Sequence, residues 1–171
     1  MTKLLYLIRH GYALHNELFL KNGLNPQIFR SSEVLDSPLT QYGHDQSIQL
    51  GYNWEKKHEV ELVVVSPLMR TLETAMNIFG DTNIPIISLE FLREYPLGRD
   101  TCNKRSNRDF LKNKYNERLI KSTHKLLIQD IQNILSNFEN GSKKYSFYIM
   151  NFCLHNNQQT ILKLKYLKTI L

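Results

Sequence analysis

Short apolar runs alternate along the chain with longer polar or amphipathic stretches. Residues 3–8, 61–65 and 84–88 form three such runs, and the aromatic and apolar stretch 145–154 forms a fourth. Apolar runs of this length with little alternation are typical of strands that are buried on both faces, as in a parallel sheet. Pro85 favours an edge position for the third strand, because proline cannot donate to a central ladder.

The stretches that separate the first three strands carry helix signals. Thr40 can cap a helix that runs to about Lys57. The apolar face predicted for this helix consists of Ile48, Leu50, Tyr52 and Trp54. Ser66 as the N-cap and Pro67 at the first helical position predict a second helix, which Gly80 closes.

The remaining stretches complete an alternation of strands and helices. Residues 17–36 are predicted to be a long loop with about one helical turn. A helix is predicted to start at about Arg108, with Asn107 as its cap. Two further helices are predicted at residues 122–137 and 158–171. This order favours a three-layer α/β/α sandwich with a mainly parallel central sheet.

The length and composition of the chain narrow the class of protein. At 171 residues, with 42% hydrophobic and 22% charged residues, the chain is expected to form one globular domain. Cys102 and Cys153 make no disulfide or metal pattern, which predicts free thiols in a reducing compartment. The sequence shows no signal peptide and no apolar stretch of about 18 residues, so the protein is expected to be cytoplasmic and to have no membrane partner.

The net charge of +6 is spread along the chain. A pocket for an anionic small molecule, or plain solubility, explains this charge as well as a nucleic-acid partner does. No motif combines aromatic and basic residues, so no nucleic-acid partner is predicted. The sequence indicates no particular oligomeric state.

Charged residues follow each of the predicted strands. Arg9 and His10 follow the first strand, and Arg70 lies in the first turn of the helix after the second. Glu94 lies in the loop after the third strand, and His155 follows the fourth. Because the carboxyl ends of parallel strands meet at one edge of a sheet, these side chains are expected to converge on one ligand site.

Four of the candidate residues suit the binding of a phosphate dianion. Arg9 and Arg70 offer charge-assisted donors in a planar fork that matches phosphate. His155 is a candidate third donor, and Asn16 is a candidate neutral fourth. The expected partner is therefore a small phosphorylated substrate.

Two side chains could carry out the reaction on that phosphate. A neutral His10 can attack phosphorus and hold the phosphoryl group. Glu94 can protonate the leaving oxygen and then activate water. Neither step needs a metal ion or a cofactor, and no ligand spacing in the sequence predicts one.

Other polar residues near these positions have more than one interpretation. His15 is either a loop residue or an orienting neighbour of the nucleophile. The histidines interpreted as surface residues are His44, His58 and His124. A basic group either extends the positive field over the site or forms a solvated loop, and it consists of Arg93, Arg99, Lys104 and Arg105.

Four segments carry motifs that occur in the same order in a known family. They are Leu7-Ile8-Arg9-His10-Gly11 with Asn16, Asp36-Ser37-Pro38-Leu39-Thr40 with Gly43 and Gln46, Ser66-Pro67-Leu68 with Arg70-Thr71, and Leu92-Arg93-Glu94. Together they resemble the histidine phosphatase superfamily, also called the phosphoglycerate mutase-like superfamily, over residues 3 to about 106. The resemblance implies the phosphoglycerate mutase-like form of the α/β/α sandwich.

The resemblance also implies roles for the candidate residues. It implies that His10 is the phosphorylated nucleophile and that Glu94 is the proton donor. The residues that it implies around the phosphate are Arg9, Asn16, Arg70 and a second catalytic histidine, His155. The family usually has small residues after this histidine, where two asparagines stand here, and it usually continues past the last helix into a further strand. The prediction is a single domain over residues 1–171 that is short at its C-terminus.

The function implied by the resemblance is that of a phosphomonoester hydrolase acting on a small phosphorylated metabolite or on a phosphoprotein. A phosphoglycerate mutase is an alternative, although mutases of the family usually carry a carboxylate where this chain has Tyr12. An alternative of another class is a non-catalytic member that binds a phosphorylated ligand or a partner protein, which the surroundings of His155 motivate. Residues 17–36 and 95–120 are expected to determine the substrate.

Overall fold

The computed structural model describes residues 3–94, 99–115, 146–150 and 161–166, and the strands in these ranges form one sheet. In chain order they are β1 (Lys3–Ile8), β2 (Val63–Val65), β3 (Ile86–Ser88), β4 (Ser146–Met150) and β5 (Ile161–Tyr166). Their spatial order is β3-β2-β4-β1-β5. The neighbours pair in parallel, except that β5 runs antiparallel to β1. The predicted α/β class with a mainly parallel sheet is therefore confirmed.

The helices of the described residues fill the connections between these strands. The α-helices are α1 (Leu14–Lys21), α2 (Gln41–Asn53), α3 (Met69–Phe79) and α4 (Arg108–Tyr115). Short 3-10 helices occupy Pro26–Arg30, Ser32–Val34, Glu55–Glu59, Glu90–Leu92 and Thr101–Asn103. No helix of the described residues is long and apolar enough to cross a membrane.

The parallel register brings the carboxyl ends of the parallel strands to one edge of the sheet. Leu7 pairs with Ile149 across β1 and β4, and Val65 pairs with Met150 across β2 and β4. β3 lies at one end of the sheet among the described strands, in agreement with the position that Pro85 favours. The residues that follow β1, β2 and β3 are therefore neighbours in space.

The core lies between one face of the sheet and α3. Tyr6 and Ile8 on β1, and Val63 and Val65 on β2, are buried at alternate positions, which share one face of their strands. The residues of α3 in this core are Met69, Leu72, Ala75, Ile78 and Phe79. Burial of one large aliphatic or aromatic side chain stabilises the fold by about 1.5–3 kcal/mol. The core therefore fixes α3, and the residues at its start, against the strand ends.

The predicted apolar face of α2 is wrong in part. Its buried residues are Gly43, Ser47 and Gly51, whereas Tyr52 is 86% exposed and Ile48 is also exposed. The cause is the close approach of α2 to α3, because a Cβ on Gly51 would lie 3.1 Å from the backbone of Ile78. The predicted contributions of Leu50 and Trp54 are confirmed, since both pack against the core. The helix also ends at Asn53 instead of about Lys57, and a 3-10 helix follows it.

The predicted cap of α3 is wrong as well. The helix starts at Met69, and Ser66 lies three residues before it, so Ser66 cannot be its N-cap. A distant residue supplies the missing bond, because the Oδ1 of Asp36 accepts a hydrogen bond of 2.9 Å from the backbone N–H of Met69. The predicted end of the helix at Gly80 is confirmed, and its backbone N–H donates to the carbonyl of Met76 at 2.8 Å. The Thr40 cap of α2 is confirmed through its bond to the N–H of Gly43.

Two predictions about irregular or helical stretches are overturned. Residues 17–36 are not a long loop, because α1 and two 3-10 helices occupy most of this range. Residues 161–166 form β5 instead of part of a helix, and they pair with β1 from Ile161 opposite Ile8 to Tyr166 opposite Lys3. The alternation of apolar and lysine residues from 162 to 166 has the period of a strand, and β1 offers it an edge.

The four predicted strands and the helix that starts at Arg108 are present in the described residues, although some of their bounds differ from the predictions. β1 has the predicted bounds, while β2 and β3 are shorter than predicted. The fourth strand is confirmed over 146–150, and the rest of the range 145–154 lies outside the described residues, as does the helix predicted at 122–137. α4 starts at Arg108, and the Oδ1 of Asn107 accepts from the N–H of Asp109 at 2.8 Å, as predicted for a cap.

Candidate active site

His10 lies just beyond the end of β1 and is buried, with 7% of its surface exposed. Its Nδ1 lies 2.7 Å from the carbonyl oxygen of Gly11. Because a carbonyl oxygen only accepts hydrogen bonds, Nδ1 carries the proton, and Nε2 keeps its lone pair. Burial and the neighbouring Arg70 hold the pKa of His10 well below its usual value of 6.5, and Arg9 acts in the same direction. The ring is therefore neutral at pH 7.

The backbone of Gly11 ties this loop to α3. Its N–H donates to the Oγ1 of Thr74 at 3.0 Å, and that hydroxyl donates in turn to the carbonyl of Arg70 at 2.7 Å. A side chain at Gly11 would place its Cβ 2.5 Å from the carbonyl oxygen of Gly43. Glycine at this position thus allows the β1 loop to lie directly on the first turn of α2.

The second sequence motif holds the same loop from the other side. The backbone N–H of Tyr12 donates to the Oε1 of Gln46 at 2.9 Å. The carbonyl of Tyr12 accepts from both the N–H and the hydroxyl of Thr40, at 2.9 and 3.0 Å. A Cβ on Gly43 would lie 2.1 Å from the Tyr12 carbonyl oxygen. Thr40, Gly43 and Gln46 are therefore positioning residues that fix the backbone beside His10.

Arg70, in the first turn of α3, is entirely buried. Its Nη1 donates to the carbonyl of Cys102 at 2.8 Å, and its Nη2 donates to the Oδ1 of Asn103 at 2.8 Å and to Glu94 at 2.9 Å. Its Nε–H is buried and has no hydrogen-bond partner among the described residues. A buried charged donor of this kind is expected to bind an anion, because an unpaired buried donor costs about 1–3 kcal/mol.

Glu94 lies at the open side of this cluster. Its carboxylate is 27% exposed and pairs with the Nη2 of Arg70 over 2.9 Å. The predicted convergence of these two residues is therefore observed. The carboxylate lies beside the guanidinium that would bind a phosphate and still reaches solvent, which suits a group that exchanges protons.

Of the other predicted phosphate ligands, the structure describes Arg9 and Asn16. Arg9 directly follows β1, is half-buried and acts electrostatically on His10. The Oδ1 of Asn16 accepts from the backbone N–H of Ala13 at 3.2 Å, so the acceptor end of this amide stabilises the start of α1. The side-chain NH2 group of Asn16 takes no part in this bond. His155 lies outside the described residues.

His15 is a member of the site that sequence reasoning left undecided. It is buried, and its ring centroid lies 5.8 Å from that of His10. Its backbone N–H donates to the Oγ of Ser37 at 2.9 Å, while its side-chain Nδ1 has no partner within the part of the chain that the structure describes. Burial, followed by the field of Arg70, holds the pKa of His15 well below its usual value. His15 therefore lies in α1 instead of a loop, and it is a neighbour of His10.

Two further residues of the site lie in the segment Cys102-Asn103-Lys104-Arg105, which resembles the same family, but they received no predicted role in the site. Asn103 and the carbonyl of Cys102 position the guanidinium of Arg70 from a 3-10 helix more than thirty residues away in the chain. The Cys102 thiol is buried, and burial raises its pKa to about 11, so it stays protonated at neutral pH. Only the contact itself reveals this role, because a polar residue in a charged loop is unremarkable in sequence.

The basic residues of the loop after β3 are partly neutralised. Glu90 pairs with the Nε of Arg93 at 3.1 Å and with the Nε of Arg105 at 2.6 Å. Arg99 and Lys104 are exposed. Four basic residues therefore contribute less positive field than their number suggests.

The remaining histidines lie away from this cluster or outside the described residues. His58 is exposed, as predicted, whereas His44 is half-buried, and its Nδ1 lies 2.9 Å from the side-chain nitrogen of Asn77. His124 is not among the described residues. The described ranges contain no group of three or more His, Cys, Asp or Glu residues that could hold a metal ion.

The arrangement defines a class of protein: a mainly parallel α/β domain with a neutral histidine and buried arginine at the strand ends. The sequence model of the histidine phosphatase superfamily (branch 1) matches residues 5–125. The chain therefore belongs to this superfamily, as the motifs predict.

Two plant proteins are similar in sequence to part of this chain. Phosphoglycerate mutase-like protein 1 of Arabidopsis thaliana is 38% identical over 81 residues, which cover 46% of this chain and 28% of that protein. Phosphoglycerate mutase-like protein 2 of the same plant is 36% identical over 81 residues, which cover 46% of this chain and 23% of that protein. The matched stretch thus spans less than a third of either relative.

Solved structures support the fold. The ecdysone phosphate phosphatase of Bombix mori, solved with tungstate, has a TM-score of 0.55 at 15% identity, covering 86% of this chain and 72% of that one. YhfR of Bacillus stearothermophilus has a TM-score of 0.52 at 22% identity, covering 87% of this chain and 74% of that one. At these identities the likeness shows a shared fold.

Proposed function

We propose that the protein is a phosphomonoester hydrolase that acts through a phosphohistidine on His10. One observation carries this proposal: the hydrogen bond of 2.7 Å from Nδ1 to the carbonyl of Gly11, which leaves the Nε2 of a buried, neutral imidazole as the nucleophilic atom. Membership of the histidine phosphatase superfamily supports the same reaction class.

The phosphate of the substrate binds between Arg9 and Arg70. The Nε–H of Arg70, which no described residue accepts from, donates to one phosphate oxygen, and Arg9 and the amide of Asn16 donate to others. His155 completes this set in the proposal. The low exposure of the site strengthens each bond, because a charged pair interacts more strongly where water is excluded.

The reaction takes place in two balanced steps. The Nε2 lone pair of His10 forms a bond to phosphorus as the bond from phosphorus to the ester oxygen breaks, and Glu94 gives its proton to the leaving oxygen. Water then attacks phosphorus, Glu94 takes a proton from it, and inorganic phosphate and free His10 result.

Turnover of para-nitrophenyl phosphate in the presence of a chelator tests this proposal. We expect the wild type to hydrolyse the ester and to form an acid-labile phosphohistidine on the peptide that contains His10. We expect His10→Ala to lower kcat by about a thousandfold or more and to abolish the phosphopeptide. His155→Ala is expected to lower kcat as well, whereas the exposed His58→Ala serves as the matched control.

Three results would each contradict part of the proposal. Hydrolysis without a phosphopeptide would exclude the covalent step. Activity of His155→Ala equal to that of the wild type would remove His155 from the site. No hydrolysis of any phosphate ester from acid to neutral pH would favour a non-catalytic member that binds a phosphorylated ligand.

A further inference from the structure

A cavity of about 270 Å³ lies beside the 3-10 helix Pro26–Arg30, and no residue of the proposed reaction lines it. The cavity is lined by Pro26, Gln27, Phe29, Arg30, Arg99 and Asp100. One wall is the 3-10 helix Pro26–Arg30, and the other directly precedes the 3-10 helix Thr101–Asn103.

The lining of this cavity is positively charged. The lining contains two arginines and one aspartate, and the Nε of Arg30 lies 3.8 Å from the Oδ1 of Asp100. Arg99 is exposed. Phe29 and Pro26 add an apolar surface to the wall formed by the 3-10 helix Pro26–Arg30. Such a combination is complementary to an anionic group that is attached to an apolar or aromatic body.

One chain of ring contacts joins the cavity to the nucleophile. Phe29 packs edge-on against His15 with ring centroids 6.0 Å apart, and His15 lies 5.8 Å from His10. Phe29 also stacks on Phe19 of α1, at 5.0 Å. The ring that lines the cavity is therefore only one side chain away from the proposed phosphorylated residue.

A second connection passes through the other wall. The hydroxyl of Thr101 donates to the carbonyl of Arg30 at 2.9 Å, which holds the two walls together. The next two residues, Cys102 and Asn103, hold Arg70 through its Nη atoms. The same 3-10 helix thus positions the phosphate-binding arginine and one side of the cavity.

We propose that this cavity binds the leaving group of the substrate and selects phosphomonoesters whose alcohol carries a second anionic group on an apolar or aromatic body. Arg30 and Arg99 bind that second anion, and Phe29 packs against the body. This inference rests on the proposed hydrolase function, which supplies the phosphate end of the substrate.

Matched esters that differ only in the second anion test the inference. Phenyl phosphate is compared with para-carboxyphenyl phosphate and para-sulfophenyl phosphate on the full chain. We expect kcat/KM to be about tenfold higher for the anionic esters, as for one charge-assisted contact at a partly exposed site. In the double variant Arg30→Gln with Arg99→Gln, we expect the ratio of kcat/KM for an anionic ester to kcat/KM for phenyl phosphate to fall towards one. A control variant that carries Arg108→Gln with Lys112→Gln removes the same number of positive charges from exposed positions of α4 and is expected to keep the wild-type ratio.

Equilibrium binding separates a failure of this inference from a failure of the proposed function. Phenylphosphonate and para-carboxyphenylphosphonate, which cannot be hydrolysed, are titrated into the wild type and the double variant. Tighter binding of the carboxylated ligand that disappears in the double variant supports the cavity even if no ester turns over. Equal kcat/KM values for the three esters would overturn the inference and leave the hydrolase function intact. A preference for the anionic esters that the double variant retains would have the same meaning.

Discussion

The loop that carries His10 and the cavity wall at residues 26–30 both contact the ring of His15, and they are built differently. The loop is buried, and both backbone polar groups of Tyr12 bond to side chains or backbone of the segment 40–46. The wall is a 3-10 helix without a buried residue, and its hydrogen bonds lie at the surface. Two neighbouring parts of one site thus differ sharply in how strongly they are held.

This difference matches two different demands on an enzyme site. In the proposed reaction, attack on phosphorus would need His10 and the buried guanidinium within a few tenths of an ångström of their working positions, which fits the supports that both receive from several distant segments. Selection of a leaving group needs a few side chains of suitable charge, and short exposed helices can change these without disturbing the core. We expect substitutions in the two regions to differ in the same way.

The largest expected difference is between a glycine that contacts the His10 loop and a glycine that lies shortly before the cavity wall. Gly43→Ala would place a Cβ 2.1 Å from the carbonyl oxygen of Tyr12, where only backbone can move, and is expected to cost about 3 kcal/mol or more. Gly23→Ala, beyond α1, meets nothing within 4 Å and is expected to cost only about 1 kcal/mol, from its φ of +65°. Chemical denaturation of both variants measures the difference. Equal losses would show that the two regions are held equally strongly.

An intermediate effect is expected from pH. His10 and His15 stay neutral when folded, so below about pH 6.5 the unfolded chain binds more protons than the folded one. The free energy of unfolding should therefore fall on acidification, by up to about 1.4 kcal/mol per pH unit for each histidine. His15→Gln is expected to remove one such contribution from the slope, whereas the exposed His58→Gln leaves the slope unchanged. If His15→Gln left the pH dependence of the free energy of unfolding unchanged, groups other than His15 would account for the proton uptake.

The smallest expected effect belongs to the cavity wall. Arg30→Gln removes a half-exposed side chain whose ion pair with Asp100 spans 3.8 Å, and an exposed pair of this kind is worth little. The free energy of unfolding is expected to change by less than about 0.5 kcal/mol, as judged by denaturant titration beside the wild type. A loss above about 1 kcal/mol would show that the wall contributes substantially to the stability of the fold. That result would contradict the proposed difference in stability between the two regions.

Sequence reasoning succeeded where the signal is local. The apolar run of β1, the Thr40 and Asn107 caps and the position of Arg70 in the first turn of α3 all follow from a few adjacent residues. It failed where the partner is distant. The cap of α3 comes from Asp36, which is more than thirty residues earlier in the chain.

The error on α2 has the same cause. Exposed Tyr52 and buried Gly51 reverse the usual expectation, because the distance between α2 and α3, not the apolar character of the helix, decides which face is inside. A pattern of apolar residues cannot predict how closely two helices pack. The strand at 161–166 is a related case, since the open edge of β1 decides that its alternating residues form a strand.

The amino-acid sequence by itself determined the family, the parallel strands and the types of residue at their ends, because these depend on local patterns and short motifs. Only the tertiary structure decided that Nδ1 of His10 bonds to the Gly11 carbonyl, that no described residue accepts from the buried Nε–H of Arg70, and that His15 and Phe29 lie in contact between His10 and a charged cavity. These properties arise from hydrogen bonds and burial between segments far apart in the chain, which no local pattern encodes.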